Sequence, residues 1–80
     1  MHYVYILKST LNNKIYKGST EDLKIRLECH NKGKVKSTKA YKPWILIYYE
    51  AFLLKSDARR EELFLKTGKG RERIKRLFKC

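Results

Sequence analysis

Cysteine, proline, glycine and acid are all scarce in this sequence, and each shortage removes a class of explanation. The only cysteines are Cys29 and Cys80, far apart in the chain, with no Cys-x-x-Cys pair. His2 and His30 give them no metal-ligand spacing, so no zinc is expected, and both thiols read as reduced bystanders. Cys29 precedes His30, but helix neighbours point about 100° apart, which is poor geometry for a dyad. One proline and four glycines leave no linker, and no repeat is visible. No apolar run approaches the ~20 residues that cross a bilayer. The start, Met-His-Tyr-Val-Tyr-Ile-Leu-Lys, lacks the basic region and long apolar run of a secretory signal, so the expected location is cytoplasmic.

Acid is the most telling shortage. Eight Asp and Glu face twenty Lys and Arg, a formal net charge of +12 at pH 7. Such a charge concentrates polyanions and speeds encounter with them, and nucleic acid is the commonest in a cell. A membrane surface would need a basic helix with a broad apolar face, for which only the C-terminal helix is a weak candidate. A soluble protein with a merely basic surface is the bland alternative. Against this charge stands 42% apolar content, enough to bury one core; the 80 residues read as a single domain, 1–80.

Residues 2–8 alternate, with Val4 and Ile6 on one face and Tyr3, Tyr5 and Leu7 on the other, as in a strand. Asn12-Asn13 signals a turn, and Ile15–Gly18 reads as a second strand, making a hairpin over 2–18. Ser19-Thr20-Glu21-Asp22 looks like a helix start, with a hydroxyl cap and two acids at the positive end of the dipole. That helix should run to about Lys32 and stop at Gly33. Residues 32–43 form a basic loop. Trp44–Phe52 is a nearly unbroken apolar and aromatic run, expected as a central strand buried on both faces. A helix opening at Ser56-Asp57-Ala58 should end near Thr67-Gly68. After a break at Lys69-Gly70, a last helix over Arg71–Phe78 should present Ile74, Leu77 and Phe78 as its apolar edge. The order β-β-α-β-α-α is an α/β class, expected as a two-layer sandwich.

Three groups of side chains suggest chemistry. Tyr5 and Tyr16 sit in neighbouring strands of the hairpin, where strand tyrosines also serve simple packing. Arg26 and His30 lie four positions apart on one helix face, beside the stripe of Leu23 and Leu27. A guanidinium there can grip a phosphate with paired hydrogen bonds, and an imidazole can move a proton or bond a phosphate oxygen; snorkelling and core-edge packing are the plainer alternatives. Glu62 leans toward the packed side of its helix with Ala58 and Leu65. Its cation is either Lys66, one turn on, or a divalent ion such as Mg²⁺ held partly through water.

Taken in order, Tyr3-Val4-Tyr5, Tyr16-Lys17-Gly18, Arg26 with His30, and Glu62 give a pattern that resembles the GIY-YIG nuclease superfamily, in particular its small single-domain branch of uncharacterised endonucleases. The resemblance covers nearly the whole chain and implies a three-stranded antiparallel sheet flanked by helices. It matches Tyr5 to the tyrosine ending the first motif, Tyr16 and Gly18 to the second motif, and Arg26 to the catalytic arginine. His30 matches the His or Tyr one turn later, and Glu62 the metal-binding glutamate. Asn31 and Lys32-Gly33 resemble the turn after that helix. Tyr3 replaces the first glycine and Lys17 the isoleucine of the second motif; strand alternation points Lys17 away from Tyr16 and toward solvent. Glu61 beside Glu62 leaves a one-residue ambiguity, decided for Glu62 by its spacing to Lys66-Thr67-Gly68.

The resemblance implies hydrolysis of a nucleic-acid phosphodiester with Mg²⁺, or Mn²⁺ in its place, and no organic cofactor. Tyr5 would take the proton of the attacking water, directly or through His30, its phenol made acidic by Arg26 or the metal. Arg26 would stabilise charge on the non-bridging oxygens, Tyr16 would position water or phosphate, and Glu62 would hold the ion. Lys17, if turned to the site, and Lys32, Lys34, Lys36, Lys39 and Lys66 would hold the flanking backbone, which carries no sequence code. Tyr41, Trp44 and Tyr48 are candidates for stacking on bases, with core packing the stronger reading for Trp44 and Tyr48. DNA is favoured over RNA, a protein partner would supply targeting, and no membrane role is expected. The competing function is a non-catalytic nucleic-acid-binding module on the same fold.

Overall fold

A strand that alternates between two apolar sets needs cover on both faces, and the first strand has it. The computed structural model describes residues 1–78, so the expectation for Cys80 lies outside the described residues. Strand β1 (His2–Ser9) pairs antiparallel with β2 (Ile15–Thr20) on one side and β3 (Trp44–Phe52) on the other, giving the order β2-β1-β3. Helices α1 (Leu23–Asn31), α2 (Lys55–Leu65) and α3 (Gly68–Leu77) complete the order β-β-α-β-α-α, with a 3-10 turn at Lys39–Tyr41 in the basic loop. The α/β class and the three-stranded antiparallel sheet flanked by helices are therefore present as expected.

Alternation along β1 divides the interior. Val4 and Ile6 pack against Ala58 and Leu65 of α2 and Ile74 of α3. Tyr5 and Leu7, on the opposite face, pack with Trp44 and are covered by Tyr16 and by Leu23 and Leu27 of α1. Helices on both faces make three layers, not the expected two. The central strand is β1, not Trp44–Phe52: β3 is an edge, and its Ile45 and Tyr49 are exposed. Its apolar richness still serves both faces, Trp44 and Leu46 packing with the Tyr5 cluster and Ile47, Tyr48 and Phe52 against the Val4 cluster.

Three helix starts also differ from expectation, each for a local reason. Ser19 and Thr20 remain in β2, and α1 is capped by the Asp22 carboxylate, which accepts the Ile25 N–H at 3.0 Å. It ends at Asn31, with Gly33 following at φ 76°, as the sequence suggested. Helix α2 begins a residue before Ser56, at Lys55, without a side-chain cap. Residues Lys69 and Gly70 lie inside α3, whose first turn is capped by the Thr67 hydroxyl accepting the Gly70 N–H at 3.2 Å. A Cβ on Gly70 would run into the Phe64 carbonyl and the Leu65 backbone, so this glycine marks a close approach between α2 and α3, not a break. Ile74 is buried on α3 and Leu77 is exposed. Among the described residues no helix is long and apolar enough to cross a membrane.

Candidate active site

The β1–β2 register sets Gly18 opposite Tyr5 and Tyr16 opposite Leu7, so the two tyrosines are diagonal neighbours with ring centroids 6.3 Å apart. Gly18 is the floor under the Tyr5 ring. A Cβ there would lie 2.5 Å from the Tyr5 hydroxyl oxygen and 2.7 Å from Cζ, so only glycine leaves that space. Above, α1 presents Arg26 and His30 on successive turns of one face. Arg26 Nε donates to the Tyr5 oxygen at 3.3 Å, and the same oxygen lies 2.9 Å from His30 Nε2. The Tyr16 ring is 5.0 Å from the imidazole, centroid to centroid. Tyr5, Tyr16, Arg26 and His30, drawn from two strands and a helix, are thus gathered around one phenolic oxygen.

The electrostatics of this group differ from the sequence expectation. Burial pushes the Tyr5 phenol above its ordinary value; the Arg26 guanidinium pulls it down, but not enough to cancel that effect, and the nearby Tyr16 and Glu62 add to the rise. Tyr5 is therefore a neutral phenol at rest, and Arg26 alone does not ionise it. Burial, with Arg26 adding repulsion, lowers His30 to about 4, so the imidazole is neutral as well. His30 is fully enclosed, which rules out a direct bond to a phosphate oxygen in this conformation and leaves the Tyr5 oxygen, in a side chain itself nearly buried, as its link to Arg26. Arg26 forms no ion pair among the described residues, and its charge remains available to an incoming anion.

Glu62 approaches from the other layer. Its Oε1 accepts the Ser19 hydroxyl at 2.7 Å and its Oε2 pairs with Lys66 Nζ at 3.0 Å. Ser19 follows Gly18 in β2, so the carboxylate meets the sheet edge beside the floor of the tyrosine site. Burial raises its pKa, but Ser19, Lys66 and, more distantly, Arg59 outweigh this and hold it below the ordinary carboxylate range. The adjacent Glu61 turns instead to Arg73 Nη1 of α3, at 2.6 Å. Of the two acids, Glu62 is the one that reaches β2.

The lysines fall into two sets. Lys32, Lys34, Lys36 and Lys39 are exposed along the loop after α1. Lys66 is held by Glu62, and Lys17 leaves the sheet on the face opposite Tyr16, where burial, Arg71 and Lys66 lower its pKa. Trp44 is 3% exposed and its indole N–H donates to the Thr38 carbonyl at 2.9 Å, a core role, while Tyr48 packs edge-on against Phe78. Tyr41 carries Lys14 Nζ 4.4 Å above its ring. Cys29 has a free thiol.

Three contributors escaped sequence reading. Ser19, taken for a helix start, anchors Glu62; the alternation of β2 already places it on the face away from Tyr16. Thr38, a buried loop residue, lies 2.7 Å from His30 Nδ1. Asn31 clamps both backbone groups of Trp44, accepting the N–H at 2.6 Å and donating to the carbonyl at 3.0 Å. No local pattern announces these last two contacts.

Comparison with known proteins gives one consistent result. A family model described as the GIY-YIG catalytic domain matches residues 1–75. The chain is 41% identical over 75 residues to a UPF0213 protein of Staphylococcus haemolyticus, covering 92% of this chain and 90% of that protein. A UPF0213 protein of Bacillus pumilus is 43% identical over 67 residues, 82% of this chain and 67% of the relative. Among solved structures, the solution NMR structure of a UPF0213 protein from Bacillus halodurans superposes with a TM-score of 0.58 at 34% identity, covering 95% of this chain and 83% of that one.

Proposed function

This chain belongs to the GIY-YIG family of nuclease domains, and from that premise we propose that it is a cytoplasmic, metal-dependent endonuclease that hydrolyses nucleic-acid phosphodiester bonds, DNA ahead of RNA, with little sequence preference of its own. The observation that carries the reading is the Tyr5 hydroxyl held between a cationic donor, Arg26 Nε, and a neutral ring nitrogen, His30 Nε2. A phenol placed so can hand its proton to the imidazole while taking one from water.

The attacking water forms a bond from its oxygen to phosphorus as the bond to the 3′ oxygen breaks. Its proton passes to Tyr5, and the Tyr5 proton passes to His30 Nε2. Moved together, these transfers never require a free phenolate, which fits a phenol whose pKa burial has raised rather than lowered. The charge ends on His30, whose pKa is held low by burial and, to a lesser extent, by Arg26; an anionic phosphate beside Arg26 offsets the second of these and raises it. Arg26 meets the charge gathering on the non-bridging oxygens, and the exposed Lys32, Lys34, Lys36 and Lys39 hold the flanking backbone. These contacts read no bases, and we assign sequence choice to a protein partner.

Nucleases of this family generally use a divalent metal ion. Glu62 suits one: it is ionised and lies at the sheet edge beside Gly18, and the ion would take the place that Lys66 Nζ holds on Oε2. Among the described residues no group of three or more His, Cys, Asp or Glu side chains forms a ligand cage. The donor set therefore fits a single hard cation that keeps most of its waters, as Mg²⁺ does, and not a dehydrated or two-metal site. Bound there, the ion would supply Lewis acidity to the phosphate and stabilise the leaving oxygen.

A panel of linear and branched DNA and RNA, with Mg²⁺ or Mn²⁺, tests the reading. Wild-type protein and Glu61→Gln should cleave at similar rates, and Arg26→Ala and Glu62→Gln should fall by about 10²-fold or more. Binding without cleavage, or equal cleavage by all four proteins, would move the assignment to the non-catalytic module.

A further inference from the structure

We propose that Thr38 is a positioning residue: it accepts the Nδ1 proton of the His30 imidazole and so supports the tautomer whose Nε2 is left to accept the Tyr5 proton. Around this fully enclosed ring every donor needs an acceptor. His30 has two partners, Tyr5 Oη at 2.9 Å and Thr38 Oγ1 at 2.7 Å. Thr38 Oγ1 also lies 3.4 Å from the Val35 carbonyl, and Tyr5 Oη accepts from Arg26 Nε. Each hydroxyl has one proton to give.

Two arrangements exist. In the first, Thr38 donates to the Val35 carbonyl and accepts the Nδ1 proton, and Tyr5 donates to the bare Nε2 while accepting from Arg26. Every donor then has an acceptor. In the second, Thr38 donates to Nδ1, the proton sits on Nε2, and Tyr5 Oη receives two donors. Its own proton then has no acceptor among the described residues, in a side chain only 2% exposed. An orphaned buried donor carries a penalty that a carbonyl-bonded hydroxyl avoids, so the first arrangement is the resting one.

Thr38 is itself fixed. It is fully buried, its N–H donates to the Val35 carbonyl at 3.1 Å, and its carbonyl accepts the Trp44 indole N–H at 2.9 Å. Trp44 is in turn clamped by Asn31 of α1. Thr38 also sits between the exposed Lys36 and Lys39. The element that would grip the phosphate backbone thus carries the hydroxyl that orients the proton acceptor. In the proton transfer, the Tyr5 O–H bond breaks as Tyr5 takes the proton of the attacking water, the Nε2–H bond of an imidazolium forms, and the Nδ1–H stays on the ring, hydrogen-bonded to Thr38.

The tautomer stands independently of activity; its bearing on cleavage rests on the hydrolytic reading above. Long-range ¹H–¹⁵N spectra of ¹⁵N-labelled protein near neutral pH read the two ring nitrogens directly. Wild type should show a bare Nε2 and a protonated Nδ1. Thr38→Val, which keeps the shape and removes the acceptor, should shift the Nδ1 resonance as its proton loses that partner, and Thr38→Ser should restore the wild-type pattern. A wild-type ring protonated at Nε2 overturns the proposal even if Thr38→Val fails to fold. So does a folded Thr38→Val protein whose ring is unchanged. In a cleavage assay, kcat should fall roughly 10- to 100-fold in Thr38→Val with KM unchanged, and recover in Thr38→Ser. A normal ring in a wild-type protein that does not cleave would refute the nuclease assignment and leave the tautomer standing.

Discussion

Acidification should destabilise this fold well above the range where carboxylates titrate, and the enclosed imidazole sets the size of the effect. His30 is 0% exposed and its pKa lies at about 4, against an ordinary 6.5. The unfolded chain takes up a proton near 6.5; the folded chain resists until about 4. The contribution is thus complete above 6.5 and drains away as pH falls toward 4. A difference of about 2.5 on the pKa scale, at about 1.36 kcal/mol each, is about 3 kcal/mol, of which about 2 kcal/mol is lost between about pH 7.5 and pH 5. A domain of this size holds roughly 4–12 kcal/mol in all, so the loss is large. Glu62 acts lower: its contribution is present above the ordinary carboxylate value and is lost as pH falls through its depressed one, so measurements above about pH 5 isolate the imidazole. Trp44, the single tryptophan and nearly buried, reports urea unfolding by fluorescence. Stability should drop by about 2 kcal/mol across this window in wild type and far less in His30→Gln. Equal losses in the two proteins would show that the enclosed ring is not the group responsible.

Two further outcomes follow from the same geometry. Gly18→Ala places a methyl against the Tyr5 hydroxyl, which Arg26 and His30 hold in place, and should reduce stability by about 1–3 kcal/mol in urea unfolding; an unchanged midpoint would mean that the phenol moves aside freely. Replacing Lys34, Lys36 and Lys39 with alanine should weaken nucleic-acid binding evenly across sequences and reduce the slope of log K against log salt by about 1 for each backbone contact removed. A loss confined to particular sequences would argue instead for base reading by the loop.

Much of the fold was legible because its signals are local. The alternation of Val4, Tyr5, Ile6 and Leu7, the Asn12-Asn13 turn and the stripe of Leu23, Leu27 and His30 lie within a few residues of one another, and all appear in the structure. The place of β3 at the edge was not legible, since an apolar run that feeds the packing on both faces looks much the same in an edge strand as in a central one. Nor was the continuity of α3 through Gly70: a glycine needed where two helices nearly touch cannot be told by composition from one that ends a helix. At the site, spacing alone suggested only the separate pairs Tyr5 with Tyr16 and Arg26 with His30; the family resemblance joined them, and the structure places all four side by side. The Ser19 support of Glu62 and the Thr38 support of His30 join distant parts of the chain, and only the folded register reveals them. Burial also reversed an expectation, since the guanidinium that should have made the phenol acidic is outweighed by loss of solvent.

Placing β1 in the middle of the sheet has a consequence for how this chain tolerates change. Tyr5 stands between Val4 and Ile6, so a single-residue insertion or deletion ahead of it would send the phenol into the aliphatic packing and push a valine or isoleucine under the guanidinium. Scaffold and chemistry are interleaved at alternate positions of one strand and cannot drift in length independently. Length variation among descendants of this sequence is therefore expected to collect in the exposed turn at 10–14, and to spare the eight residues before it.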